Sequence, residues 1–263
     1  MRNLIQWPKA KYWTKQWNPV IGCRPCSPAC ENCYAAAWAK RFGQSFEPHT
    51  TKQKPPRKGV VFCGNMTDLF GEWVDETENP YHFIPVSCYN DQTAVLWLTK
   101  RAGKMAECLA RGDKDFDYKD PLSNHYFGFT AENQEWYDKR FREARKIPGW
   151  ANWWISCEPL LGPINLDLTD RHPITGSRGV IPHLPSWVVV GCESGPKRRP
   201  CKIEWVESIA QQCADADVPV FVKQLDIGGK CVTDINQFPE HLRIRQVPWA
   251  EEIYKAMAED QNK

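Results

Sequence analysis

The sequence has no long hydrophobic run and no excess of charge of one sign. No stretch of about 18 consecutive apolar residues occurs, which excludes a membrane-spanning helix. The 34 lysines and arginines nearly balance the 32 aspartates and glutamates, so the formal net charge is only +2. This balance argues against a protein that coats nucleic acid through its overall charge, although a local basic groove is compatible with it.

Targeting segments, tandem repeats and low-complexity tails are also missing from the sequence. Residues 1–6 do not have the apolar core of a secretory signal peptide. A chain of 263 residues is long enough to bury one sizeable core. We therefore expect a cytoplasmic protein with a single domain over residues 1–263.

Cysteine, in contrast, is abundant, with 12 residues in the chain. Cytoplasmic thiols stay reduced, so a disulfide framework is excluded and crowded cysteines indicate a metal site. Four of them, Cys23, Cys26, Cys30 and Cys33, lie close together, whereas the other eight are scattered and are expected to be small buried hydrophobic residues.

The spacing of the four cysteines is compatible with two kinds of metal site. Three thiolates, either Cys23 or Cys26 together with Cys30 and Cys33, can hold three irons of a [4Fe–4S] cluster. The fourth iron is then open to a small-molecule ligand. A structural zinc ion held by all four thiolates is the alternative, although the two C-x-x-C pairs are closer together than in most zinc ribbons. A site without metal is a third possibility.

Short apolar runs alternate with helical stretches along the chain. This alternation predicts βα units and a parallel sheet, closed or partly closed into a TIM-like (β/α) barrel. The predicted strands are 59–63, 94–98, 126–129, 153–156, 187–190 and 218–222, and the predicted helices are 35–42, 100–111, 132–146, 203–216 and 251–263.

Polar residues follow each predicted strand. In α/β barrels the site is built at the carboxyl ends of the strands, so we expect these side chains to converge, although strand-to-helix turns are commonly polar without a function. Two long loops, 68–92 and 159–186, are predicted to lie over this site. The residues that follow the strands are Asn65, Thr67, Asp68, Thr99, Lys100, Arg101, Thr130, Glu132, Asn133, Glu158, Glu193, Ser194, Lys223 and Gln224.

The run N-P-x-x-G-C…C-x-x-C-Y-A, from Asn18 to Ala35, resembles the opening of spore photoproduct lyase-like radical S-adenosylmethionine enzymes. There three residues separate the first two cysteines, whereas six separate Cys23 from Cys30. The rest is similar to the phage-associated three-cysteine-motif family, a radical-enzyme relative of unknown function. That similarity runs through residues 64–70, 98–101, 128–134, 156–163, 191–196 and 221–224.

The resemblance implies a barrel of the radical S-adenosylmethionine type, with a [4Fe–4S] cluster and S-adenosylmethionine as cofactors. It implies Cys23, Cys30 and Cys33 as cluster ligands, with Cys26 as an alternative. The implied cofactor-binding residues are Tyr34, Asn65, Thr67, Asp68, Lys100, Arg101 and Glu132, and the implied catalytic residues are Lys100, Glu158 and Glu193. Salt bridges to Lys100, Lys223 or Arg199 are the structural alternative for the carboxylates. An auxiliary cluster on Cys63, Cys157 and Cys192 is conceivable.

The resemblance also suggests a nucleobase or nucleotide substrate, an electron donor such as flavodoxin or ferredoxin, and host cytoplasm if a phage encodes the chain. No membrane partner is expected. Two basic stretches could contact nucleic acid, or they could simply be solvated: residues 197–199, and a helix face with Lys139, Arg140, Arg142, Arg145 and Lys146. The alternative function is a non-catalytic binding protein stabilised by zinc or by an inert cluster.

Overall fold

The computed structural model describes residues 5–74, 93–115, 124–168, 184–249 and 253. The predicted loops 68–92 and 159–186 therefore lie only partly within the described residues, and the predicted terminal helix 251–263 lies almost entirely outside them. None of the helices in the described ranges combines the length and hydrophobicity that a bilayer span requires.

The described residues form an α/β fold in which strands and helices alternate along the chain. The helices are α1 (Tyr34–Arg41), α2 (Ala102–Asp115), α3 (Gln134–Ala144) and α4 (Ile203–Asp215). The strands are β1 (Ile5–Gln6), β2 (Lys15–Trp17), β3 (Val20–Ile21), β4 (His49–Thr50), β5 (Gly59–Cys63), β6 (Thr93–Thr99), β7 (His125–Thr130), β8 (Asn152–Cys157), β9 (Trp187–Gly191), β10 (Val220–Ile227), β11 (Lys230–Val232) and β12 (Gln246–Val247).

Eight of the strands form one curled sheet in the order β11-β10-β9-β8-β7-β6-β5-β2. Seven are parallel, and only β11 runs antiparallel to its neighbour β10. The sheet is a half-barrel with β2 and β11 at its edges, so the predicted α/β class and partial barrel are confirmed.

The last predicted strand differs most from the structure, since 218–222 was expected and β10 covers Val220–Ile227. Pro219 has no N–H to donate to a ladder, so the strand starts after it. Its far end is extended by the antiparallel pairing of Asp226 with Cys231 in the hairpin to β11.

Two apolar layers explain why the strands are near-continuous hydrophobic runs, because a parallel strand is covered on both faces. On the convex face, side chains such as Val95 and Ile155 pack against Met105 of α2 and Ile209 of α4. On the concave face lies an aromatic cluster made by Tyr12, Trp154, Trp187, Phe221 and Trp249 among others.

The concave cluster fills the interior of the half-barrel. The ring centroids of Tyr12 and Trp187 are 5.0 Å apart in an edge-to-face arrangement, and those of Trp154 and Trp187 are 5.2 Å apart. The Trp187 indole N–H donates to the carbonyl of Gln246 at 2.7 Å, beside the antiparallel pair of β1 and β12. The interior is thus a packed core rather than a channel.

Gly128 has a packing role at the centre of the sheet. It lies opposite Trp154 in the ladder of β7 and β8, and a Cβ atom here would lie 2.4 Å from Cε2 of that indole. Without the Cβ, the Trp154 N–H reaches the carbonyls of Trp97 and Tyr126, both at 3.1 Å.

Candidate functional site

Two neighbouring cavities open at the carboxyl ends of the strands. The first, which we call the cysteine cavity, has a volume of about 130 Å³ and is lined by all four clustered cysteines. The second, the carboxylate cavity, has a volume of about 170 Å³ and is lined by Glu158 and Glu193. The two cavities share the wall residues Ala29, Cys33, Tyr34, Phe62, Leu98, Lys100 and Thr130.

The cysteine loop, residues 22–33, begins at a glycine that the backbone requires. Gly22 has φ of +96°, and a Cβ atom there would lie 2.5 Å from the carbonyl carbon of Glu47. The Gly22 N–H donates to the carbonyl of Met66 at 3.1 Å, and the Thr67 hydroxyl donates to the carbonyl of Gly22. These bonds fix the loop to the segment that follows β5.

Arg101 anchors the next part of the cysteine loop. Its guanidinium donates to the carbonyl of Arg24 at 3.3 Å and lies 3.6 Å from the sulfur of Cys26. The same group forms ion pairs with Asp68 at 3.2 Å and Glu72 at 2.9 Å. Arg101 was predicted to bind cofactor, but these contacts already occupy its guanidinium.

Arg199 and Glu193 together hold the end of the loop. The Arg199 guanidinium donates to the carbonyl of Pro28 at 3.0 Å and to Glu31 at 3.2 Å, and it pairs with Glu193 at 2.5 Å. The Asn32 side chain also donates to Glu193, at 3.0 Å. Burial raises the pKa of Glu193, but the bonds from Arg199 and Asn32 outweigh it and hold the pKa below its usual value.

The thiols of the cysteine cavity differ in their ionisation. A hydrogen bond from the Cys26 thiol lowers the pKa of Cys30 to about 4, against the opposing effect of burial. That bond and burial raise the pKa of Cys26. Burial and the nearby Asp68 raise the pKa of Cys23 to about 12. Cys30 is therefore the thiolate of this pair at neutral pH, which is the form that binds metal.

Within the described residues, no three His, Cys, Asp or Glu side chains are arranged to hold a single metal ion. A zinc ion requires its sulfur ligands about 2.3 Å away around one point. In an iron–sulfur cluster each thiolate binds a different iron, so the sulfurs need not converge in this way. Four soft thiol donors on one cavity wall fit an iron–sulfur cluster in donor chemistry.

The three polar residues after β5 have different surroundings. Asp68 is buried and accepts hydrogen bonds from the Thr99 hydroxyl at 2.6 Å and the Lys100 N–H at 3.0 Å. The Thr67 hydroxyl is bound to the carbonyl of Gly22 in the cysteine loop. Asn65 lines the cysteine cavity, its carbonyl accepts a bond from the Tyr34 hydroxyl, and its buried Oδ1 has no partner in the described part of the chain. Of the three, Asn65 is the one with a vacant acceptor.

The three residues predicted to be catalytic, Lys100, Glu158 and Glu193, line the carboxylate cavity together. Lys100 also lines the cysteine cavity, and its ammonium has no hydrogen-bonding partner among the described residues. Glu193 is bound by Arg199, one of the structural partners considered above for the carboxylates.

Glu158 lies in a network of polar and aromatic side chains. Its Oε1 is 2.8 Å from the Lys223 ammonium, and its Oε2 accepts bonds from the Tyr12 hydroxyl at 3.2 Å and the Ser156 hydroxyl at 3.4 Å. The Lys223 ammonium also lies 5.6 Å from the ring centroid of Trp13. The Trp13 ring lines the cavity, and its buried N–H has no partner in the described ranges.

Tyr12 and Trp13 are site residues that the sequence reasoning missed. They lie before the cysteines, in a segment without a strand or helix pattern, and nothing distinguishes Trp13 from the other 12 tryptophans of the chain. The cavity-facing position of Trp13 depends on the long-range ring contact with Phe62, at 5.0 Å between centroids.

Glu132 was predicted to bind cofactor, but it is not among the lining residues of either cavity. It is fully buried and forms an ion pair with Arg140, which is itself 3% exposed. Arg140 also donates to the carbonyls of Thr130 at 2.7 Å and Lys100 at 3.0 Å. The pair therefore supports the carboxyl ends of β6 and β7.

The cysteines considered for an auxiliary cluster are part of the hydrophobic core. Cys63, Cys157 and Cys192 are all buried in the convex layer, and burial raises the pKa of each. The sulfur of Cys192 instead lies 3.7 Å from that of Cys231. Cys88 lies outside the described residues.

Three arginines of the two predicted basic stretches make internal contacts, whereas Lys197 is exposed. Arg140 is buried, Arg199 is bound by Glu193, and Arg198 lies 3.9 Å from Asp226. On α3, Lys139 and Arg142 are exposed to solvent. The predicted basic face is therefore smaller than the sequence suggested.

A family model described as "Protein of unknown function (DUF5131)" matches residues 7–245. The chain belongs to this family. The DUF5131 match covers both cavities and the whole curled sheet, and no activity or cofactor is assigned to the family by its description. No curated protein and no solved structure matches the chain significantly.

Proposed function

We propose that this DUF5131 protein is a radical S-adenosylmethionine enzyme that acts on a nucleobase or a nucleotide. The observation that carries the proposal is the junction of the two cavities. All four thiols line the cysteine cavity, the Glu158 network lines the carboxylate cavity, and Cys33 and Lys100 border both, at the carboxyl ends of a parallel half-barrel. When bound, the cluster and S-adenosylmethionine would supply an electron and a 5′-deoxyadenosyl radical that removes a hydrogen atom from the substrate.

Cys23, Cys30 and Cys33 would hold the cluster, with Cys26 as the alternative ligand. The loop is held in place at three points, by Met66 and Thr67, by Arg101 and by Arg199. Such anchoring favours a preorganised cofactor site, because the chain loses less conformational entropy when the cofactor binds. Apolar side chains in the cavity wall would limit the access of water.

Lys100 and Asn65 are suited to bind the amino acid part of S-adenosylmethionine. The Lys100 ammonium borders both cavities and would neutralise a carboxylate. The vacant Oδ1 of Asn65 would accept a hydrogen bond from an ammonium group. The two groups complement the two charges of an amino acid.

The carboxylate cavity is suited to a planar substrate with N–H donors. The Trp13 ring offers a surface for stacking, and its N–H would donate to a ring nitrogen or a carbonyl. Glu158, whose Oε1 is paired with the Lys223 ammonium, would accept hydrogen bonds from an amino group at Oε2. A nucleobase has both features.

Turnover by this mechanism requires a low-potential reductant. We propose an electron-donor protein such as flavodoxin or ferredoxin in the cytoplasm, where the thiols stay reduced until metal binds.

The proposal is tested by assaying 5′-deoxyadenosine formation from S-adenosylmethionine after anaerobic purification and dithionite reduction. We expect product from the wild-type chain and none from Cys30→Ala. Cys108→Ala is the matched control, since Cys108 is buried on α2 and is not among the residues lining either cavity. Comparing Cys23→Ala with Cys26→Ala identifies the third ligand, because only the ligand variant loses activity.

Absence of 5′-deoxyadenosine from the wild-type chain after cluster reconstitution would contradict the proposal. Equal product from Cys30→Ala and wild type would do the same.

A further inference from the structure

Charge is strongly segregated along this nearly neutral chain. Residues 1–58 contain 11 of the 34 lysines and arginines but only 2 of the 32 aspartates and glutamates. This first segment therefore carries a net charge of +9, and the remainder carries −7, which together give +2. Charge asymmetry of this size between segments indicates a polyanionic partner for the basic one.

Part of the basic segment folds around the cysteine loop. Residues 18–54, which we call the cysteine lobe, form a loop that is closed at its base, because β3 pairs with β4 and the Thr51 N–H donates to the carbonyl of Pro19 at 2.7 Å. The Gln53 side chain also accepts from the N–H of Asn18 at 2.9 Å. The lobe exposes two acids, Glu31 and Glu47, and five cations: Arg24, Lys40, Arg41, Lys52 and Lys54.

Helix α1 of this lobe presents aromatic rings to solvent. Tyr34, Trp38 and Phe42 are 56%, 44% and 57% exposed, and they are the exposed large hydrophobic residues of the described ranges. The spacing of four residues places Tyr34 and Trp38 on one face of the helix, and Phe42, which caps its C-terminus, lies beside Trp38. The ring centroids of Trp38 and Phe42 are 4.9 Å apart, and the Arg41 guanidinium lies 5.8 Å from the Phe42 ring.

We propose that this face of α1 binds single-stranded nucleic acid. Unpaired bases stack on Trp38 and Phe42, while Lys40 and Arg41 contact phosphates. Rows of exposed rings bracketed by cations are how proteins hold single strands without reading their sequence. An interface with another protein favours aromatic residues too, but it is depleted in lysine, whereas this lobe exposes Lys40, Lys52 and Lys54.

The aromatic surface of α1 lies next to the two cavities. Helix α1 starts at Tyr34, directly after Cys33, and both residues line the two cavities. A strand on α1 therefore lies at the entrance to the carboxylate cavity, where one base can enter beside Trp13. The role of this surface in presenting substrate rests on the proposed function, but binding itself requires neither S-adenosylmethionine nor a reductant.

The test is the fluorescence anisotropy of a labelled 20-nucleotide oligothymidylate with the full chain, at 50 to 200 mM salt. We expect Trp38→Ala/Phe42→Ala to raise the dissociation constant at least about tenfold, since stacking contributes about 1–3 kcal/mol per base. Lys40→Ala/Arg41→Ala should reduce the slope of log affinity against log salt by about 1.4, because two phosphates are no longer neutralised. The control Lys139→Ala/Arg142→Ala removes two exposed cations from α3 and should stay within about twofold of wild type.

A second variant separates base stacking from general apolar contact. Trp38→Leu/Phe42→Leu keeps apolar surface on α1 but removes the rings, and we expect it to bind as weakly as the alanine variant. Binding by this leucine variant at wild-type strength would overturn the proposal. An equal loss of affinity in the α3 control would also overturn it. The same holds if the wild-type chain does not bind the oligonucleotide but binds an acidic ferredoxin through the same face. Iron analysis of the same samples reports on the cofactor separately, so failure of one proposal is distinguishable from failure of the other.

Discussion

The buried pair of Glu132 and Arg140 gives the sharpest test of how the strand ends are supported. The two side chains are 0% and 3% exposed. Replacing Glu132 by Gln leaves the Arg140 charge buried without its counter-charge, although its bonds to the carbonyls of Thr130 and Lys100 persist. Breaking a buried pair in this way costs about 3–5 kcal/mol of unfolding free energy.

Removing both charges should cost far less. In Glu132→Leu/Arg140→Met no unpaired charge is left, and apolar residues of similar volume can be neutral or stabilising at such a site. We therefore expect the double variant to recover most of the stability that the single variant loses. The residual cost comes from the two carbonyls that Arg140 no longer satisfies, and we expect it to stay below the roughly 3–5 kcal/mol of a broken buried pair.

Urea unfolding monitored by tryptophan fluorescence measures these differences, with the slope of the transition checked for each variant. Under the proposed function, Glu132→Gln should also keep the wild-type affinity for S-adenosylmethionine at urea concentrations below the unfolding transition. A Glu132→Gln protein within about 1 kcal/mol of wild type that has lost this affinity would contradict a supporting role for the pair, and would restore the cofactor-binding role that the sequence suggested.

Three further predictions concern other parts of the molecule. Burial holds the pKa of His125 at about 3, so the unfolded chain takes up a proton below about pH 6.5 and the folded chain does not. Stability should thus fall by up to about 1.4 kcal/mol per pH unit from pH 6.5 downward, and His125→Gln should lose this dependence in unfolding titrations. Gly128→Ala places a Cβ 2.4 Å from the Trp154 ring and should cost about 1–3 kcal/mol by thermal unfolding, whereas Gly162→Ala, with its nearest contact at 3.4 Å, should cost much less. Arg199→Ala releases the end of the cysteine loop and should speed the reaction of its thiols with a disulfide reagent severalfold in metal-free protein; an unchanged rate would contradict the anchoring role.

The fold could be predicted well because its evidence is local. Strands such as β5 and β9 are covered on both faces, so their apolar runs coincide with the structure at every or nearly every residue. The helices are similarly marked by amphipathic spacing, and α4 begins at the expected Ile203. The antiparallel strand β11 was missed, since its three residues are half-exposed and carry no periodicity.

The site could be predicted only in outline. Convergence of polar residues at the strand ends follows from parallel topology, and it brought Lys100, Glu158 and Glu193 into one cavity. Which polar atoms remain vacant depends on partners far away in the sequence. Asp68 is saturated by Thr99, 31 residues later, whereas Asn65 just before it keeps a vacant acceptor.

The same limit applies to charged residues that look alike in the sequence. Arg199 is 6 residues from Glu193, but it also reaches Pro28, which lies 171 residues earlier in the chain. The exposure of the α1 rings could not be predicted from the sequence either. A tryptophan is expected to be buried, and no neighbouring residue indicates that Trp38 is exposed.

Elemental analysis of the anaerobically purified chain decides between an iron–sulfur cluster and zinc on the cysteine loop. We predict about four irons and a matching amount of acid-labile sulfide per chain, lost together in Cys30→Ala and retained in Cys108→Ala. One tightly bound zinc per chain with no sulfide, even after reconstitution with iron, would contradict the radical-enzyme proposal and identify the cysteine loop as a structural zinc site.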